Sequence, residues 1–108
     1  ILISCKKENY NPESNNFVTY YAFCSKVNFK VSYLNEYGIL KNTSTLKNRW
    51  DTTFKSIHNN TWQMIVKTDS VDAFLYGAIG VNLLIRDIQT IDTTKVDNNQ
   101  IICNFKMD

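Results

Sequence analysis

The sequence has one histidine, His58, and three cysteines, Cys5, Cys24 and Cys103, with no Cys-x-x-Cys pair among them. A structural zinc site gathers Cys and His ligands at close spacings, so no metal is expected, and no cofactor either. No run of about 20 apolar residues occurs, which excludes a membrane-spanning helix within this chain. Charge of one sign is also scarce. The formal net charge is +2, and Lys and Arg are scattered between acids and amides. Nucleic-acid binding normally needs a concentrated basic patch, so it is not expected. There is a single proline, Pro12, no internal repeat, and no low-complexity tract beyond a general richness in Asn. A catalytic constellation is missing too. His58 sits among Lys55, Ser56, Asn59 and Asn60, and nothing in the sequence places Asp51 or Asp69 beside it as a partner acid. No catalytic residue is assigned, and the chain is not expected to be an enzyme.

What remains is enough for one folded domain. The chain has 108 residues, 44% of them hydrophobic and 13% aromatic. That length suits a single domain with a modest core, and that composition argues against general disorder.

The clearest local signal is Val27 to Gly38. Val27, Phe29, Val31 and Tyr33 are apolar and alternate with Asn28, Lys30 and Ser32. Period-two alternation marks a strand with one face in a core and one in water. The run ends at Asn35-Glu36-Tyr37-Gly38, where Asn and Gly supply turn conformations. Phe17 to Ser25 reads as the strand before it. Val18, Tyr20, Ala22 and Cys24 share one phase, while Thr19, Tyr21 and Phe23 share the other. Ser25-Lys26 would then join the two strands as a tight hairpin. Further on, the polar middle Lys41 to Thr45, between Ile39-Leu40 and Leu46 to Trp50, reads as a loop or short edge strand. Strands are expected at Trp50 to Ile57, Thr61 to Thr68, Ile88 to Thr94 and Gln100 to Met107. The apolar stretch Ala73 to Asp87 contains Gly77 and Gly80, which disfavour a helix. We read Ala73 to Tyr76 as irregular or a short strand, the glycines as a bend or bulge, then a strand from Val81, with a turn starting at Asp87. About seven strands at intervals of about ten residues predict an all-β, immunoglobulin-like β-sandwich over residues 17–108.

Residues 1–16 read differently. Ile1 to Ile3 is a short apolar end, followed by the small Ser4, then Cys5 and the polar segment Lys6 to Asn16. This looks like the tail of a bacterial lipoprotein signal peptide. Leu2, Ile3, Ser4 and Cys5 match the lipobox, which implies cleavage before Cys5 and lipid on its sulfur. Lys6 to Asn16 would be a flexible tether. The expected location is therefore the cell envelope, lipid-anchored, on the periplasmic side or the surface of a Gram-negative bacterium. The alternative is that Ile1 to Ile3 form a short first strand and Cys5 is an ordinary thiol.

The order of motifs resembles the MmpS-like family, the transport accessory proteins of mycobacteria and related small lipoproteins of Bacteroidetes. Tyr33, Asn35 and Gly38 match a strand ending in Tyr-x-Asn-x-x-Gly. Trp50 and Phe54 match a Pro-Trp element followed by Phe, with Arg49 in the place of the usual proline. Ile85 and Asp87 match parts of a late Ile-x-Val-Asp-Gly hairpin, with Ile88 or Gln89 where the glycine is usual. The likeness runs from about Val18 to Phe105. It implies an immunoglobulin-like sandwich outside the cytoplasm, with an envelope protein or a lipid-transport system as partner.

Two groups of side chains are candidates for more than packing. Cys24 and Cys103 fall in inward phases and could form a disulfide between the first and last strands, or stay reduced as small apolar residues. Trp50, Trp62, Tyr20 and Tyr33 follow the core phase, whereas Tyr21, Tyr37 and Tyr76 are surface candidates for a glycan-binding or protein-binding face. Asp87 and Asp92 make a thin ligand set for calcium and are better read as turn formers.

Overall fold

The computed structural model describes residues 16–26, 28–57 and 60–107. The lipobox, Cys5, the tether to residue 15, Val27 and His58 lie outside the described residues. The rest is an all-β sandwich of two antiparallel four-stranded sheets. Its strands are β1 (Asn16–Cys24), β2 (Phe29–Leu34), β3 (Leu40–Asn42), β4 (Arg49–Ser56), β5 (Thr61–Thr68), β6 (Phe74–Val81), β7 (Leu84–Asp92) and β8 (Gln100–Lys106). One sheet has the order β4-β1-β6-β7 and the other β3-β2-β5-β8. There are eight strands where about seven were expected.

The alternation read in the sequence puts the right side chains inside. Val18, Tyr20, Ala22 and Cys24 of β1 are all fully buried, facing Trp62, Met64 and Val66 of β5 across the core. Phe29 and Val31 of β2 are buried as well. Tyr20 donates its hydroxyl hydrogen bond to the Leu34 carbonyl at 2.6 Å and meets Tyr33 and Phe54 edge-on. Trp62 places its indole N–H 3.3 Å from the Ser56 hydroxyl, and both residues are fully buried. Large aromatics can sit in this core because their polar ends find partners there. The exit turn of β2 forms as expected. Asn35 accepts the Tyr37 and Ile39 amides on its side-chain oxygen, and Gly38 takes a φ of 77°.

Two local expectations are corrected. Ser25-Lys26 does not close a hairpin, because β1 and β2 belong to different sheets. Neither residue favours a tight turn, and Ser25 instead exchanges hydrogen bonds with Phe74 of β6: its amide donates to the Phe74 carbonyl, and its hydroxyl accepts the Phe74 amide. The chain therefore crosses between layers at this point. The glycines of β6 mark no bend either. β6 runs unbroken through Gly77 and Gly80 and ends at Val81, where a strand was expected to begin, and the chain turns at Asn82-Leu83, with φ of 55° and 70°. Asp87 lies inside β7 rather than at a turn. The bulge is real but sits on β7: Ile79 pairs with Asp87 and Gly80 with Ile85, leaving Arg86 as the extra residue. β7 also closes one side of the sandwich against β8. Asp87 accepts the Asn104 amide at 2.8 Å, and the Arg86 guanidinium lies 5.3 Å from the centre of the Phe105 ring.

Candidate binding face

In a two-layer sandwich each strand turns alternate residues to solvent, and those positions are usually polar. The outer face of the β4-β1-β6-β7 sheet obeys this rule on one strand only. On β4 the register places Arg49, Asp51, Thr53 and Lys55 outward. Their neighbours on β1 are Phe23, Tyr21, Thr19 and Phe17. On β6 the outward residues are Phe74, Tyr76, Ala78 and Gly80, and across from the last two stand Ile88 and Ile85 of β7. An apolar band therefore crosses three strands on the solvent side.

The band is concave. Ala78 and Gly80 form its floor, because their side chains are too small to fill the space between Tyr21, Tyr76 and the β7 residues. The result is a hollow of about 300 Å³ bounded by Thr19, Tyr21, Tyr76, Leu83, Leu84 and Ile85. A second hollow of about 300 Å³ adjoins it between Tyr21, Phe23, Phe74 and Tyr76. Tyr21 and Tyr76 stand between the two, with ring centroids 5.8 Å apart and planes at 72°. Phe74 is 41% and Ile85 65% exposed, so these residues remain open to solvent. Such a face can hold an apolar or amphipathic surface. Two phenol hydroxyls and the Thr19–Thr53 hydroxyl pair, 3.0 Å apart, supply polar contacts at its border.

The other candidates are dispersed. Cys24 and Cys103 are both buried and free, so the bridge considered for them is not formed in this structure. Cys24 pairs across to Leu75 in one sheet, while Cys103 in the other stands over Gly77. Burial, with Asp87 nearby, pushes the Cys103 thiol up to about 12, so it stays protonated and unreactive. Trp62 and Tyr20 are core residues, Trp50 and Tyr33 pack against the core, and Tyr37 is half exposed in the β2–β3 turn. Asp92 caps its own turn, accepting the Thr94 hydroxyl and amide, and those bonds hold its carboxyl below the usual range. It is separated along β7 from Asp87. Among the described residues no cluster of His, Cys, Asp or Glu could hold a metal ion.

Sequence reading identified Tyr21 and Tyr76 but missed Phe23, Phe74, Ile85 and Ile88. A signal existed in β1, whose two phases are both rich in apolar or aromatic residues. A strand of that kind has two apolar faces, and only one can belong to the core. No family model matches the chain, and no curated protein matches it in sequence.

Proposed function

We propose that this is a non-enzymatic binding domain of the cell envelope, anchored to a membrane by lipid on Cys5. In this reading it presents the outer face of the β4-β1-β6-β7 sheet to an envelope protein or a lipid-transport partner. The observation that carries the reading is the concave apolar band across β1, β6 and β7, on a surface where alternation calls for polar residues. Exposed apolar patches of this kind mark interaction sites on soluble folds. The lipobox-like Leu2 to Cys5 supports the anchor, and the resemblance to MmpS-like proteins supports an accessory role in transport.

The anchor is tested by expressing the full-length precursor in a bacterial host and measuring the intact mass of the mature protein. Acyl mass that disappears in Cys5→Ala is the expected result, and an unmodified Cys5 removes the anchor from the proposal. For the face, a photo-crosslinking residue at position 76 should join the domain to one defined envelope component, whereas the same residue at position 67, exposed on β5 of the opposite sheet, should not.

A second reading is glycan binding. It is favoured by the Tyr21–Tyr76 pair, which offers two ring surfaces with hydroxyls at their tips. A glycan array on which the parent binds a sugar and Tyr76→Ala loses it would select this reading over the first.

A further inference from the structure

The β6–β7 hairpin turns on two residues, Asn82 and Leu83, both at positive φ. Two-residue turns of this hand are normally Asn-Gly, because glycine takes the left-handed conformation freely. Leu83 takes it at φ 70° while its side chain is 100% exposed. Leucine is thus held in an unfavourable conformation at a tip where it packs on nothing in the fold. Strain kept at an exposed position points to a use for the side chain.

The tip does not stand alone. Asn82 bonds Asn16 at 2.9 Å through its amide nitrogen and accepts the Phe17 amide at 3.0 Å. Asn16 is paired with Ser56, and the Ile57 amide donates to the Glu36 carbonyl at 3.0 Å. The start of β1, the β2–β3 turn and the β6–β7 tip therefore form one end of the sandwich. Leu83, Leu84, Phe17, Ile39 and Leu40 are each more than half exposed there. Lys41, Lys55, Arg86 and Lys106 flank them, opposite or next to Tyr33, Phe17, Ile85 and Thr61. Glu36 and Asp87, which follows Arg86 on β7 and accepts the Asn104 amide, are the described carboxylates nearest this end. Asp69, Asp72, Asp92 and Asp97 lie at the other end, where Lys26–Asp72 and Lys95–Asp92 form the ion pairs found among the described residues.

We infer that this end of the sandwich is a membrane-insertion surface for an anionic phospholipid bilayer, with the Asn82–Leu83 tip entering the lipid. The exposed leucines and isoleucine reach the acyl region. The lysines and arginine lay their alkyl stems along it and place their charges among the headgroup phosphates. Chain direction agrees. Cys5 precedes Asn16 by eleven residues, so lipid on Cys5 would join the domain at this end, within a reach of at most roughly 40 Å. That orientation rests on the anchor proposed above, whereas the affinity of the tip for lipid does not.

The test uses the full chain carrying Cys5→Ser, so that no acyl group contributes, in co-sedimentation with vesicles. The expected result is binding to phosphatidylcholine–phosphatidylglycerol vesicles, weaker binding to phosphatidylcholine alone, and loss at high salt. Leu83→Asn suits the backbone and so keeps the fold, and it should lower the partition coefficient about tenfold. Val71→Asn, at the opposite end and 79% exposed, should leave binding unchanged. As a second measurement, Leu83→Cys in the same background is labelled with a polarity-sensitive dye, Cys24 and Cys103 being buried. Its emission should shift to the blue on the anionic vesicles. The inference is overturned if the parent ignores anionic vesicles, if Leu83→Asn binds as the parent does, or if the dye stays in water. The mass of Cys5 in the unsubstituted protein reads the anchor separately, so either proposal can fail alone.

Discussion

Gly77 sits at an inward position of β6, close against the opposite sheet. A Cβ built there would lie 3.0 Å from Cys103 Sγ, 3.1 Å from Met64 Cε and 3.2 Å from Ile101 Cδ1. All three neighbours belong to the opposite sheet, so the glycine lets the layers approach and gives Cys103 its place. Two effects oppose each other in Gly77→Ala. Alanine gains about 0.5–1 kcal/mol of backbone preference, while overpacking a filled core loses about 1–3 kcal/mol. The second effect wins, and we expect a net loss of about 1 kcal/mol, read as a lower urea midpoint at unchanged slope. Cys103→Ala empties the nearest contact. The double variant should therefore be more stable than the sum of the two single losses implies, and simple additivity would disprove the clash. Gly80 gives the contrast: a Cβ there meets nothing nearer than the Leu84 carbonyl at 3.5 Å. Its smallness shapes the outer hollow rather than the core.

At the level of elements, the β6–β7 hairpin shows a local rule broken at one residue. An L-residue in the left-handed region loses about 1–2 kcal/mol, and glycine there forfeits part of that gain by loosening the unfolded chain. Leu83→Gly should therefore stabilise the domain by about 0.5–1 kcal/mol. Leu83→Val, branched at Cβ, should destabilise it, and thermal melts of the two variants check the order. This hairpin is also where reading the sequence failed. β5 was legible to the residue, and β1, β4 and β8 nearly so, because strict alternation fixes both element and inward face. From Ala73 to Asp87 alternation is weak: Gly77 and Gly80 offer no side chain, and Ala78 and Ile79 are both buried. The glycines drew the expected bend, while the actual turn carries Leu where Gly is usual. The outer face was half legible for a different reason. Tyr21 and Tyr76 stand out by composition, but the hollow beneath them exists only because β6 pairs with β1 across 50 or more residues. Local pattern does not encode such pairing.

For the whole molecule, both layers of the core resist alkali through one buried acid each. Tyr20, on β1, has an ordinary value of 10.0 and is held well above it by burial. Cys103, on β8, is pushed from 9.0 up to about 12, by burial first and by Asp87 second. The native state keeps both protons where the unfolded chain would release them. Their contribution to stability is therefore complete below about pH 9. It declines first as the unfolded thiol ionises, then faster as the unfolded phenol joins, by about 1.4 kcal/mol per pH unit for each group. On the acid side the exposed Asp72 and Asp92 carboxyls are held low, by Ser70 with Lys26 and by Thr94 respectively, and favour folding only until they are protonated. Urea midpoints should thus stay level through neutral pH and fall steeply above pH 9. Cys103→Ala should delay the fall toward pH 10, where the Tyr20 phenol alone drives it. Tyr20→Phe should keep the onset near pH 9 but halve the later slope. It also starts from lower stability, because the Leu34 carbonyl loses its 2.6 Å partner. If Cys103→Ala falls from the same pH with the same slope as the parent, then the thiol is not the group that couples this core to alkali.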